Sequence, residues 1–350
     1  MKNFVAAVLV KNNKPLLIQN IFFDSIQPYQ MLVRINYSYV CGSQINEWQG
    51  HRGKDKYLPH VLGHEASGKI VKIGKGIRNF KINDRVFLSW IPKKKRKEIS
   101  NPKYFDEKGK IINSGKISTF STHVLISENF VYKLDRQIPL KFGAFFGCAM
   151  PTGIGLALKI IKNFGNRNNK SNIIIYGLGG IGLICLKALI HLGYKNVICV
   201  DINKKNLLNA KLLGAKKIIE FYNLNNFFLS NKNILKMIKV GVDCSGSIKA
   251  IKEGFKYMNP TGTFIIAGNP KISDKLVINP YEVILGKKLI GTVGGDIDIN
   301  NNIDLFNDIL LSNKHIFNKL FCTNIYNLAE INLALKDFQR KKVLRPLIKL

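Results

Sequence analysis

Acidic residues are scarce in this chain: 22 Asp and Glu stand against 54 Lys and Arg in 350 residues, a formal net charge of +32. Such an excess creates a field that attracts nucleic acid, anionic surfaces or acidic substrates. A dedicated nucleic-acid binder concentrates its cations on one face or helix, whereas here Lys, Asn and Ile are spread through every segment, including loops with no motif. One run stands out, Lys93-Lys94-Lys95-Arg96-Lys97, and it lacks the interleaved aromatics that stack on single strands. Cysteines are few and scattered at positions 41, 148, 185, 199, 244 and 322, with no CxxC pair and no dense framework. This excludes a disulfide scaffold and predicts reduced thiols in the cytoplasm. Long hydrophobic runs are missing too. The longest, Ile173 to Leu186, is crowded with glycine, closes at Lys187 and is shorter than the roughly 20 residues a bilayer needs, so no membrane span is expected. The apolar stretch Phe4–Val10 runs straight into Lys11-Asn12-Asn13-Lys14 without a cleavage site, which reads as a first β-strand and not a leader. There is no internal repeat of solenoid length and no low-complexity tail.

What is present is an ordinary globular composition, 46% hydrophobic and 22% charged, in a chain long enough for about two domains with a core each. The first part alternates short β-like runs with turn signals: Met31–Tyr37, Lys69–Ile73 closed by Gly74-Lys75-Gly76, Arg85–Leu88 after Asn83-Asp84, and Phe120–Ile126. That spacing predicts a small all-β barrel or sandwich. From about residue 170 the rhythm changes to strand and helix in turn: Asn172–Tyr176, a helical stretch Ile181–Leu192 ended by Gly193, Asn196–Val200, and a second helical stretch Lys204–Leu213 ended by Gly214. It continues through Gly241–Ser245, a helix near Ile248–Met258, Thr263–Ala267 and Lys288–Val293. This alternation predicts a parallel sheet.

Two constellations carry chemistry. Gly177-Leu178-Gly179-Gly180-Ile181-Gly182 follows the first strand of the parallel region and opens its first helix, and Asp201 ends the second strand. In that context Gly177 permits the tight turn, Gly179 lets a pyrophosphate approach the backbone, Gly182 lets helix pack on strand, and the helix N-terminus offers free N–H groups. Asp201 is placed to bond a ribose 2′-hydroxyl and repel a 2′-phosphate, which predicts NAD. The second constellation is Cys41, His64 and Cys148, dispersed and without a local motif. Taken singly, a lone Cys is more often a small buried hydrophobe than a ligand, and a lone His a satisfied polar residue.

Taken in order, Cys41-Gly42-Ser43, Leu62-Gly63-His64-Glu65-Ala66-Ser67-Gly68, Val71-Lys72-Ile73-Gly74, Asn83-Asp84-Arg85-Val86, Gly147-Cys148, Thr152-Gly153, the glycine turn with Asp201, and Arg345 resemble the zinc-containing medium-chain alcohol dehydrogenases over nearly the whole chain. The resemblance implies a GroES-like β-barrel catalytic domain (1–149, completed by 295–350) and a doubly wound Rossmann NAD-binding domain (150–294). It implies Cys41, His64 and Cys148 as ligands of one catalytic zinc, a Cys₂His set that neutralises Zn²⁺ and leaves a fourth position open. It gives Ser43 the hydroxyl that first takes the substrate proton, Glu65 an acidic place behind the metal, Thr152 a contact to the nicotinamide side, and Arg345 a contact to the pyrophosphate. The activity implied is interconversion of an alcohol and an aldehyde or ketone, with NAD as hydride carrier. The substrate would be a small alcohol or aldehyde, anionic if the basic run steers it, and the assembly a homodimer or homotetramer.

This sequence departs from the family at three places. Where many members carry an Asp after the Ser there is Gln44, which accepts a hydrogen bond but adds no charge to raise ligand basicity. Where some place a relay His there is Asn46, so the proton needs another exit. The lobe that holds a structural zinc in many relatives falls between Leu88 and Ser118 and contains no cysteine, so no structural zinc is expected. Two rivals follow from the same residues. A zinc-free quinone- or enoyl-type reductase keeps the fold and the glycine turn, but retention of Cys41, His64 and Cys148 argues against it. A nucleic-acid-binding protein on this fold is suggested only by the charge.

Overall fold

The structure is a computed structural model, which describes residues 2–93, 101–164 and 172–350. Of the basic run, Lys93 is described and Lys94–Lys97 lie outside the described residues. The chain forms two compact units, Met1–Cys148 with Asp298–Leu350, and Ala149–Ile297.

The first unit is the GroES-like body. The apolar N-terminal stretch is a strand, Lys2–Leu9, paired antiparallel with Leu17–Phe23 from Lys2 against Phe23 to Val8 against Leu17. The central strand, Gln30–Tyr39, is buried on both faces. Met31, Val33 and Ile35 join Ala66, Ile70, Val86, Leu88, Val124 and Ile126 in one core, while Leu32 and Leu125 turn into a second core with Phe4, Val8 and Ile21. The two-residue period of a strand thus serves two cores at once. Gln30–Tyr39 pairs antiparallel with Glu65–Ile73, His123–Ser127 and the C-terminal strand Leu347–Lys349. Its register with Glu65–Ile73 shifts between Ile35 and Tyr37, and there Gly68 lies so near Arg34 that an added Cβ would sit 2.0 Å from the carbonyl oxygen. The pairing of Leu347 with Tyr39 returns the end of the chain to the end of that strand.

The second unit holds a six-stranded sheet among the described residues, every pairing parallel. Its order is Lys217–Glu220, Val197–Asp201, Asn172–Tyr176, Ile238–Asp243, Thr263–Ile266 and Lys288–Gly291. The chain proceeds outward from Asn172–Tyr176 in one direction and then in the other, the doubly wound Rossmann order whose reversal marks a ligand crevice at the strands' C-terminal ends. Helices Gly180–His191, Lys204–Leu212 and Ile248–Lys256 connect the strands. Among the described residues no single helix is long and apolar enough to cross a membrane.

Candidate functional site

In the first unit, three chain segments bring their donors to one point. Cys41 follows the end of Gln30–Tyr39 and caps the short helix Gly42–Trp48. His64 precedes the strand Glu65–Ile73. It comes out of Gly63, whose φ of +96° and distance of 2.4 Å from a built Cβ to Thr119 Oγ1 admit no other residue without strain. Cys148 leaves the 3₁₀ turn Ala144–Gly147, where a Cβ on Gly147 would stand 2.2 Å from the Leu88 carbonyl oxygen. One ligand atom each from Cys41, His64, Glu65 and Cys148 lies within 4.8 Å of every other. His64 Nε2 and Glu65 Oε2 are buried with no hydrogen-bond partner among the described residues. A buried unpaired imidazole nitrogen facing two sulfurs is what a soft divalent cation completes, and the donor set, S, S, N and O, suits zinc. The residues present therefore fit the metal.

The electrostatics follow from burial. A hydrogen bond from the Cys148 thiol holds Cys41 well below the usual thiol range, with Arg345 and His64 adding to it against the cost of burial. The same bond and its own burial push Cys148 well above that range. Burial pushes the Glu65 carboxyl up to about 7, although the Arg345 guanidinium opposes it. Glu65 Oε1 accepts from Arg345 Nη2 in an ion pair whose members are 0% and 4% exposed, and the guanidinium lies over the rings of Tyr39 and Phe145 at 5.7 and 5.3 Å.

Of the residues singled out from sequence, the structure brings Cys41, Ser43, His64, Glu65, Cys148 and Arg345 together. Ser43 Oγ is 3.4 Å from His64 Nδ1. The Arg345 guanidinium is engaged with Glu65 behind the ligand cluster. The oxygen of Gln44 accepts from the Cys41 backbone N–H at 2.8 Å, and its amide nitrogen, not its oxygen, faces His64 Nδ1 at 2.5 Å. Trp90, not singled out from sequence, stands beside His64 with ring centroids 6.4 Å apart and a buried Nε1 that has no partner; nothing in its local sequence marks it.

Thr152, the glycine turn and Asp201 belong to the second unit. Gly177 has a φ of +89°, and a Cβ there would collide with Ser245 at 2.7 Å. A Cβ on Gly182 would meet the Gly177 carbonyl oxygen at 2.0 Å, whereas one on Gly179 would meet nothing within 4 Å. Gly177 and Gly182 are thus fixed by packing, and Gly179 borders the open cradle. The helix beginning at Gly180 has no side-chain cap, so its first N–H groups remain available to an anion. Asp201 Oδ2 accepts from Leu178 N at 2.6 Å, and Oδ1 from Asn203 N at 2.7 Å, which ties the turn to the second strand. Gly180 and Ile181 begin the helix at the cradle, and Thr152 Oγ1 is buried without a partner. The loop after Ile238–Asp243 was not anticipated as part of this cradle. Asp243 accepts from Ser245 N and Oγ and from Gly246 N, and so holds Ser245 against Gly177.

Comparison with known proteins agrees with this geometry. Residues 27–136 match the alcohol dehydrogenase GroES-like domain family and residues 180–308 the zinc-binding dehydrogenase family. The chain is 26% identical to alcohol dehydrogenase-like 2 of Arabidopsis thaliana over 94% of this chain and 92% of that protein. It is 24% identical to alcohol dehydrogenase 2 of Zea mays over 99% and 97%. Among solved structures, benzyl alcohol dehydrogenase from Acinetobacter calcoaceticus superimposes with a TM-score of 0.87 at 24% identity over all of both chains. The 2R,3R-butanediol dehydrogenase of Bacillus subtilis does so with 0.75 at 19% over 99% of each. With a GroES-like body, a Rossmann unit and this match over both, the chain is an oxidoreductase that belongs to the zinc-type medium-chain alcohol dehydrogenase family.

Proposed function

We propose that the protein interconverts a small alcohol and its aldehyde or ketone with NAD as hydride carrier, using one zinc held by Cys41, His64 and Cys148. The observation that carries this reading is the convergence of those donors within 4.8 Å around a His64 Nε2 with no partner of its own. Zinc in that place supplies Lewis acidity toward the alcohol oxygen, and the nicotinamide supplies the hydride acceptor. The chain's own residues do the rest. Two thiolates cancel the charge of the cation and the neutral imidazole completes the set. Ser43, with its hydroxyl buried beside His64, is the group that takes the substrate proton. Glu65, held by Arg345, keeps a compensated carboxylate behind the cluster. In the second unit, the cradle at Gly179 receives the pyrophosphate, Thr152 Oγ1 offers its unused hydroxyl to the nicotinamide side, and Asp201 selects the 2′-hydroxyl. The six cysteines are free, which suits a cytoplasmic enzyme. We place it there, as a homodimer or homotetramer without a structural zinc.

Elemental analysis together with an NAD-linked screen of alcohols and aldehydes tests the reading. About one zinc per chain and turnover of a panel member are expected, with Cys148→Ala abolishing both and Cys185→Ala, buried on the helix after the glycine turn, leaving both intact. A zinc content near two, none after reconstitution, or equal loss in the two variants refutes it.

A further inference from the structure

Gln44 stands at the join of the ligand cluster and faces two groups that its side chain cannot serve together. Its Cα is fixed by the helix Gly42–Trp48, and its side chain is 1% exposed. Oε1 accepts from the Cys41 backbone N–H at 2.8 Å, and Nε2 lies 2.5 Å from His64 Nδ1. A neutral imidazole carries one proton, on one nitrogen or the other. With the amide nitrogen donating to Nδ1, that proton sits on Nε2, the buried nitrogen without a partner, which must present a lone pair if it is to bind a metal. Moving the proton to Nδ1 sets an N–H against the amide NH₂. Turning the amide over relieves that contact but sets the NH₂ against the Cys41 N–H instead. The amide's one oxygen is turned to the Cys41 N–H, which leaves its nitrogen toward Nδ1. Ser43 Oγ, at 3.4 Å from Nδ1, is at the limit of a hydrogen bond and leaves the donor–donor contact in place.

We propose that Gln44 is a positioning residue that holds His64 in the tautomer with its proton on Nε2, so that the cluster binds its metal only by displacing this amide and holds it more weakly than a carboxylate at position 44 would allow. The inference rests on the metal reading given above. Gln44→Glu keeps the side-chain length and supplies two acceptor oxygens, one for Cys41 N–H and one for His64 Nδ1–H, which fixes the ligating tautomer and raises the basicity of Nε2. Partners of this kind alter metal affinity by about 10- to 100-fold.

Two measurements test it. Long-range ¹H–¹⁵N correlation on metal-free protein labelled at histidine, with His64 assigned by the loss of its signals in His64→Gln, reads the tautomer. The wild type is expected to carry the proton on Nε2 and Gln44→Glu on Nδ1. A wild-type His64 protonated on Nδ1 overturns the proposal even if the variant does not fold. The second measurement challenges zinc-loaded protein with a chromogenic chelator. Gln44→Glu is expected to release zinc about tenfold more slowly than wild type, and Gln44→Ala, which removes the opposing amide without adding an acceptor, no faster than wild type. A merely structural Gln44 would make every replacement release faster, and a Gln44→Glu that releases as fast as wild type overturns the proposal. If neither protein takes up zinc, the metal reading fails, while the tautomer still decides the role of Gln44.

Discussion

Removing Arg345 should destabilise the first unit far more than removing Glu65 and Arg345 together. The pair is closed off from water, with Glu65 0% and Arg345 4% exposed, and burial already pushes the carboxyl up to about 7 with its partner in place. Arg345→Met leaves the Glu65 carboxyl buried without its partner, where it must take up a proton to stay inside, and Glu65→Leu leaves a buried guanidinium over the rings of Tyr39 and Phe145. Breaking a buried pair by removing one member costs about 3–5 kcal/mol, whereas replacing both by apolar groups of similar size is often near neutral. The double variant should therefore lose several kcal/mol less than the sum of the singles, a coupling of about 3 kcal/mol or more. The chain supplies its own probe. Its two tryptophans, Trp48 and Trp90, both lie in the first unit, so fluorescence in urea follows that unit without confusion from the second. With a chelator present to keep metal binding out of the comparison, each single variant should lower the urea midpoint by about 1–2 M at an m-value of about 2–3 kcal/mol/M. Additivity of the two singles to within about 0.5 kcal/mol would refute the reasoning.

Two further outcomes are expected. Asp201→Asn should narrow the preference for NAD over NADP in kcat/KM by about tenfold, because it removes the repulsive charge while keeping an acceptor for the turn; equal use of both cofactors by the wild type would show that Asp201 does not discriminate. Burial, and the Arg34 guanidinium on the facing strand, hold the His123 imidazole below its usual value. A base with a depressed folded value binds fewer protons folded than unfolded, so its contribution is present above about pH 6.5 and lost as pH falls below it. His123→Gln should flatten the pH dependence of the fluorescence-monitored urea midpoint over that acid range, and an unchanged profile would remove His123 as its source.

The parts of this molecule that the sequence made legible are those set by local rules. The strand–glycine–helix turn at Gly177–Gly182 and the acidic end of Val197–Asp201 carry their meaning within a short span, and at Gly177 and Gly182 the close approaches leave room for nothing but glycine. The alternation in the β-part marks strands, but not that Gln30–Tyr39 is shared by two cores, since a strand buried on both faces loses the polar half of its pattern. The strand Lys217–Glu220 escaped for the opposite reason: four residues flanked by charge give too little periodicity to read. The ligand cluster could be assembled only through family resemblance. Its geometry depends on a shifted register between Gln30–Tyr39 and Glu65–Ile73 and on the return of Leu347–Lys349 to Tyr39, and no spacing between Cys41, His64 and Cys148 encodes either.

The same distinction explains where Arg345 and Gln44 find their partners. A buried side chain pairs with the complementary groups that the folded backbone puts within its reach. Pro346 accepts from Val40 N at 3.0 Å, which fixes Arg345 next to the strand end that leads to Cys41, and from there the nearest anion is Glu65. Gln44, three residues after Cys41, is within reach of the free N–H that begins the helix, and a capping bond of that kind satisfies a donor that would otherwise be buried unpaired. Its oxygen is thereby engaged in the cap, and the side of the amide turned to His64 is the nitrogen. An Asp at this position has two acceptor oxygens, so capping and ligand support do not compete for one atom; in this chain they do, and the hold on the metal is where that competition should register.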